Sequence, residues 1–128
     1  MSERKNISSG APWEEKAAYS RAVRKGNFIA VAGTTAVLDG EIVGKGSAYL
    51  QSVHIFNLMT TALEQAGSSL SDVVRTRMFV SDIQYAEQVM RAHKEFFDDI
   101  RPAATLVEVS GFVDADMLVE IEAEAIVG

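Results

Sequence analysis

The chain contains no cysteine, and that absence removes disulfide bonds, thiolate nucleophiles and thiolate metal sites together. No apolar run approaches the ~20 residues that a helix needs to cross a bilayer, so no membrane partner is expected. The first residues, Met1 to Gly10, are polar and carry no hydrophobic signal core, so a cytoplasmic protein is expected. Positive charge is scarce as well: 12 Lys and Arg stand against 18 Asp and Glu, a net charge of −6. Proteins that grip a phosphate backbone concentrate their basic residues on one face. Here they are scattered. The densest group, Arg21, Arg24 and Lys25, flanks Gly26-Asn27 and reads as the solvated surround of a turn, which counts against nucleic acid. Only two histidines occur, His54 and His93, each within a helical stretch. Glu95 is two positions from His93 and so lies on another helix face. Both histidines read as packed or surface residues, and neither a metal site nor a cofactor is expected.

What is present suits one globular domain. A length of 128 residues with 48% hydrophobic content is enough for a single core. Residues 1–18 lack a clear period and read as an N-terminal arm, leaving 19–128 as the domain. Trp13, the only tryptophan, is expected to pack onto the domain or onto a neighbouring subunit.

From Tyr19 the pattern is extended. Tyr19 to Val23, a turn at Gly26-Asn27 and Phe28 to Ala32 read as a hairpin ending at Gly33. Asp39-Gly40 marks a second tight turn. Ser47 to Ala66 reads as a helix with Ser47 as N-cap, Gly67 just past its end and a broad apolar stripe from Leu50 to Leu63. Val73 to Val80 is a strand with Thr76, Met78 and Val80 on one face and Arg75, Arg77 and Phe79 on the other. A second helix covers about Gln84 to Phe97, with Ala86, Val89, Met90, His93 and Phe97 along one side. Thr105 to Val109 and Met117 to Ile126 are the closing strands. The fold class is therefore α+β: a mixed sheet of about five or six strands with two helices on one face. Several strands are apolar on both faces, so the second face needs a cover, and copies of the same chain are the simplest one.

Two motif readings fail on inspection. Gly40-Glu-Ile-Val-Gly44-Lys45-Gly46-Ser47 is one residue short of a phosphate loop, and Gly46 separates Lys45 from the hydroxyl that would hold magnesium. No Gly-x-Ser-x-Gly elbow is present to support a hydrolase triad. The unusual segment is Val119-Glu120-Ile121-Glu122-Ala123-Glu124-Ala125. Alternation places three carboxylates on one strand face, neighbours about 7 Å apart. Arg75 and Arg77 alternate in the same way, and a cross-strand ion ladder is the expected arrangement for all three glutamates.

Arg101-Pro102-Ala103-Ala104-Thr105-Leu106-Val107-Glu108-Val109, followed by Leu118-Val119-Glu120-Ile121-Glu122-Ala123, resembles the C-terminal signature of the RidA/YjgF family, older name endoribonuclease L-PSP. Ala18-Tyr19-Ser20, Phe28 to Gly33, Ala66-Gly67, Asp72-Val73-Val74, Phe79-Val80-Ser81-Asp82 and Phe96-Phe97 agree in order, so the resemblance runs from about Ala18 to Val127. It implies a chorismate-mutase-like fold, a homotrimer whose sheets face a central barrel, and small-molecule pockets between subunits. In deaminating members it implies an arginine of a Pro-Ala-Arg motif that grips the substrate carboxylate. A last-strand glutamate and backbone near the second strand would then position the water that attacks an imine.

Carried over residue by residue, Tyr19, Gly33 and Glu120 match, whereas the arginine position holds Ala104. Leu106 follows as a pocket residue, and Met90 replaces an asparagine of the second helix. Losing one partner of a buried charge pair costs about 2–5 kcal/mol. The resemblance therefore implies a trimer with an inter-subunit ligand pocket but without the usual imine deaminase activity. Three alternatives stand beside it: a deaminase that uses Arg101 for the carboxylate, the ribonuclease or translation-inhibition role, and a non-catalytic binding or structural trimer.

Overall fold

A computed structural model of the chain describes residues 3–128. Its centre is a six-stranded sheet in which β1 (Arg4–Ile7), β2 (Ala22–Lys25), β3 (Phe28–Thr34), β8 (Val119–Ile126), β6 (Val73–Val80) and β7 (Ala103–Glu108) lie side by side in that order. The hairpin β2 (Ala22–Lys25) and β3 (Phe28–Thr34) turns at Gly26, whose φ of +62° suits glycine. A small hairpin, β4 (Val37–Leu38) and β5 (Glu41–Ile42), follows at Asp39-Gly40. Helix α2 (Ala48–Gln65) starts where the Ser47 hydroxyl accepts the Leu50 N–H at 3.1 Å, and ends before Gly67 at φ +82°. Strand β6 (Val73–Val80), helix α3 (Ala86–Phe97) and strand β7 (Ala103–Glu108) form a parallel crossover. The last strand, β8 (Val119–Ile126), runs antiparallel between β3 and β6. The segment around Lys45 is a turn into α2, with Gly44 and Gly46 both at positive φ and Lys45 facing Asp116 at 3.8 Å.

Period-two patterning separates the two sheet faces. Ile29 and Val31 of β3, Thr76, Met78 and Val80 of β6, and Val119, Ile121, Ala123 and Ala125 of β8 all point to one side and are buried. Against them lie Ile55, Phe56, Met59 and Leu63 of α2 and Val89, Ala92 and Phe97 of α3. Met90 falls at the margin of the α3 stripe, 42% exposed, because the helix rotates it past the contact with α2. Gln51 is wholly buried yet satisfied: its amide bonds the carbonyl of Asp116 and accepts the N–H of Leu118, both at 2.9 Å. It ties the entrance of β8 to α2.

The N-terminal arm is a correction. Residues 1 and 2 lie outside the described residues, but β1 (Arg4–Ile7) pairs antiparallel with β2 and belongs to the main sheet. Pro12–Ala17 is a short helix, α1. The segment Arg-Lys-Asn-Ile has one apolar side chain, so no period reveals it; backbone pairing, the burial of Ile7 and a bond from Lys5 Nζ to the Gln65 carbonyl hold it. Ala18 at φ +60° then turns the chain, so β2 begins at Ala22 and not at Tyr19. Trp13 does not pack down onto the domain: it is 58% exposed, with Lys16 Nζ 5.7 Å from its ring centroid.

His93 sits in the core as a packed residue. Its Nε2 meets the buried Thr76 hydroxyl at 2.9 Å, and its ring lies 4.7 Å from Phe97 and 5.8 Å from Phe56. Burial disfavours the imidazolium and lowers the pKa below the ordinary 6.5. The unfolded chain therefore binds the extra proton first, so stability is complete above pH 6.5 and falls as pH drops below it. Urea titrations at pH 7.5 and 5.0 should show this loss, and His93→Phe should flatten the difference between the two.

Candidate functional site

The face of β8 turned away from the helices carries the three glutamates. Arg77 Nη1 lies 3.3 Å from Glu122 and 3.1 Å from Glu124, and Arg75 Nε lies 3.6 Å from Glu124. The ion ladder is real for these two carboxylates. All four side chains are about a third exposed or more, so each pair contributes less than ~1 kcal/mol. Glu120 is the exception. Register places Phe79 opposite it, not an arginine. Burial raises its pKa, the charge of Glu122 raises it further, and Arg21 opposes both. A carboxyl released from the ladder, its pKa raised by burial, is suited to proton transfer.

What Glu120 does meet is Gly33. The β3–β8 register shifts between Val31 and Thr34, so Ala32 and Gly33 form a bulge. A Cβ at Gly33 would stand 2.5 Å from Glu120 Oε2, so the carboxyl lies directly on the glycine backbone. Beside the bulge is Arg21, which is not the solvated turn residue expected of it: its side chain is only 13% exposed. Nη1 donates to the Gly33 carbonyl and to the Thr34 hydroxyl, each at 2.9 Å, and Nε faces Glu14 at 3.5 Å. Nη2 reaches the Tyr19 hydroxyl at 3.4 Å. Tyr19, Arg21, Gly33 and Glu120 thus share one corner of the open sheet face. The sequence held one usable signal for Arg21, since period-two alternation puts Tyr19, Arg21 and Val23 on one face.

The remaining candidates lie elsewhere. Ala104 pairs with Thr76 and Leu106 with Met78, so both point to the helix side of the edge strand β7. Leu106 packs against the core. Strand β7 is two strands from β8 and three from β3, roughly 10 and 14 Å at ~4.8 Å per step. Arg101 is exposed at the end of α3, where its guanidinium holds the carbonyl and the carboxylate of Asp98 at 2.8 and 2.9 Å. One protomer therefore unites Tyr19, Gly33 and Glu120 but not Ala104, Leu106 or Arg101. A shallow groove of about 440 Å3 runs along the open face past Tyr19, Ala30, Ala32 and Glu122. Among the described residues no three His, Asp or Glu side chains converge to hold a metal ion, and no helix is long and apolar enough to cross a membrane.

Known proteins resemble the chain over most of its length. Residues 10–127 match the family described as endoribonuclease L-PSP. An uncharacterised protein of Streptomyces coelicolor is 40% identical over 121 residues, spanning 94% of this chain and 90% of its own. The 3-aminoacrylate deaminase RutC of Acinetobacter baylyi is 31% identical over 110 residues, 85% of this chain and 86% of its own. Among solved structures, a YjgF-family protein of Mycobacterium tuberculosis superposes with a TM-score of 0.89 at 41% identity, covering 98% of this chain and 100% of that one.

The Gly33–Glu120 contact is testable by itself. Gly33→Ala should push the carboxyl off the bulge and cost about 1–3 kcal/mol by overpacking. The carboxyl signal of Glu120, followed by NMR titration, should move toward the ordinary range as it gains water. An unchanged titration in the folded variant would mean that the contact does not set the environment of Glu120.

Proposed function

The chain belongs to the endoribonuclease L-PSP (RidA/YjgF) family, and from that premise we propose that it binds a small metabolite in a pocket between copies of itself, without the family's usual deamination of 2-aminoacrylate. One observation carries this reading. The Tyr19–Gly33–Glu120 corner and the Ala104–Leu106 edge stand on opposite flanks and opposite faces of the same sheet. A site that uses both requires the β7 edge of a second copy to close over the corner of the first. A heterologous contact of that kind, repeated around a closed ring, gives a cyclic trimer. The exposed apolar residues Phe28, Ile126 and Val107 on the open face are the sort of surface that such a contact covers. Ala104 then brings no cation into the closed pocket, and a substrate carboxylate delivered to that edge would be left unpaired.

A second reading, hydrolysis of an imine, is favoured by Glu120, whose raised pKa and fixed position fit a group that activates water. Ribonuclease activity is disfavoured by the same face, which presents Glu120, Glu122 and Glu124 where a phosphate backbone would need cations.

The deciding assay is keto-acid release from 2-aminoacrylate generated in situ. Wild type should stay at background, and Ala104→Arg should gain roughly thirty-fold or more, the lower end expected for restoring a buried charge pair. Glu120→Gln in that background should abolish the gain. Rapid turnover by wild type would instead establish the second reading.

A further inference from the structure

We propose that Arg21 anchors the acidic group of the ligand in this chain, with Glu14 as the positioning residue that holds the guanidinium for that task. The inference rests on the small-molecule reading above and adds the ligand class, a small carboxylate whose charged end points to β2 and not to the β7 edge.

Arg21 is fastened on three sides. Nη1 spends its donors on the Gly33 carbonyl and the Thr34 hydroxyl, and Nε faces Glu14. Among the described residues, Nη2 meets only the Tyr19 hydroxyl, at the long distance of 3.4 Å. Nη2 faces Tyr19, which is 40% exposed, so Nη2 and the phenol form a two-donor rim beside Glu120. A guanidinium already locked by its other nitrogens loses little entropy on taking an anion, which is the condition for a selective carboxylate site.

Glu14 supplies the lock. It is the one buried carboxylate of α1, 6% exposed, and it is saturated by its own loop. The Ser8 hydroxyl donates at 3.0 Å, the Ser9 amide at 3.1 Å, and the Ser9 hydroxyl also donates. Burial pushes the carboxyl up, but the bonds from Ser9 and Ser8 and the charge of Arg21 outweigh it and hold it below its ordinary range. Those donors disperse the charge of Glu14, so it orients Arg21 without consuming the Nη2 edge. The N-terminal segment from β1 through α1 thereby becomes part of the site.

The test uses the full chain, with pyruvate and its neutral isostere pyruvamide titrated by calorimetry into wild type, Arg21→Gln and Glu14→Gln. Wild type should prefer pyruvate. Arg21→Gln should weaken pyruvate about thirty-fold or more and reduce the preference to near one, while Glu14→Gln weakens pyruvate several-fold and leaves pyruvamide unchanged. A purely structural role would weaken both ligands together. Should Arg21→Gln fail to fold, Arg21→Lys reads the same quantity, with a several-fold loss for pyruvate alone expected. An Arg21 variant that keeps the wild-type preference overturns the proposal, as does a wild type that binds both ligands equally; in both cases the site itself survives. A wild type that binds neither ligand overturns the small-molecule reading and this inference with it.

Discussion

Strand β8 is the element on which the rest of this protein depends. It pairs on both sides, with β3 and with β6, and its eight residues alternate between a fully apolar face and three carboxylates. The apolar face fixes its register, because a slip of one residue would drive Glu120, Glu122 and Glu124 into the core beneath α2. Once the register is set, the fate of each carboxylate follows from the residue opposite. Glu122 and Glu124 meet the two arginines of β6, and Glu120 runs past the end of that arginine pair to face Phe79. The same alternation that builds the core therefore leaves Glu120 outside the ion ladder.

The bulge on β3 completes what β8 begins. The bulge lies at Ala32-Gly33, and the missing Cβ of Gly33 leaves bare backbone against the Glu120 carboxyl. The Gly33 carbonyl that this exposes is claimed by Arg21, which gathers Tyr19, Thr34 and Glu14 around it. Strands β3 and β8, the first helix and the segment leading into β2 thus converge on one corner through one guanidinium and one glycine. The edge strand β7 is physically remote from that corner, and the Ala104 side chain there has no polar group to contribute.

Much of this architecture was legible in the residues. The helix from Ser47, its cap and its glycine stop, the two-faced strand at Val73–Val80, the Gly26-Asn27 hairpin and the Arg75/Arg77 pairing with glutamate all follow from local period and turn chemistry. The first strand did not, because four residues with a single apolar side chain carry no period. Arg21 was misread for a related reason. Beside a turn signal, a basic cluster looks solvated, and only the bulge on the neighbouring strand supplies the carbonyl that draws the guanidinium inward. Glu120 could not be separated from Glu122 and Glu124 by alternation, since the three are equivalent along their own strand.

By itself, then, the sequence determined the α+β class, the element order and the family, because these rest on periodicities and motifs that neighbouring residues carry. Only the tertiary structure decided which glutamate leaves the ion ladder, which arginine turns inward against the β3 bulge and which candidates lie on the far edge. Those outcomes depend on strand order and register between segments nearly a hundred residues apart, and no local pattern encodes what a side chain will find across a sheet.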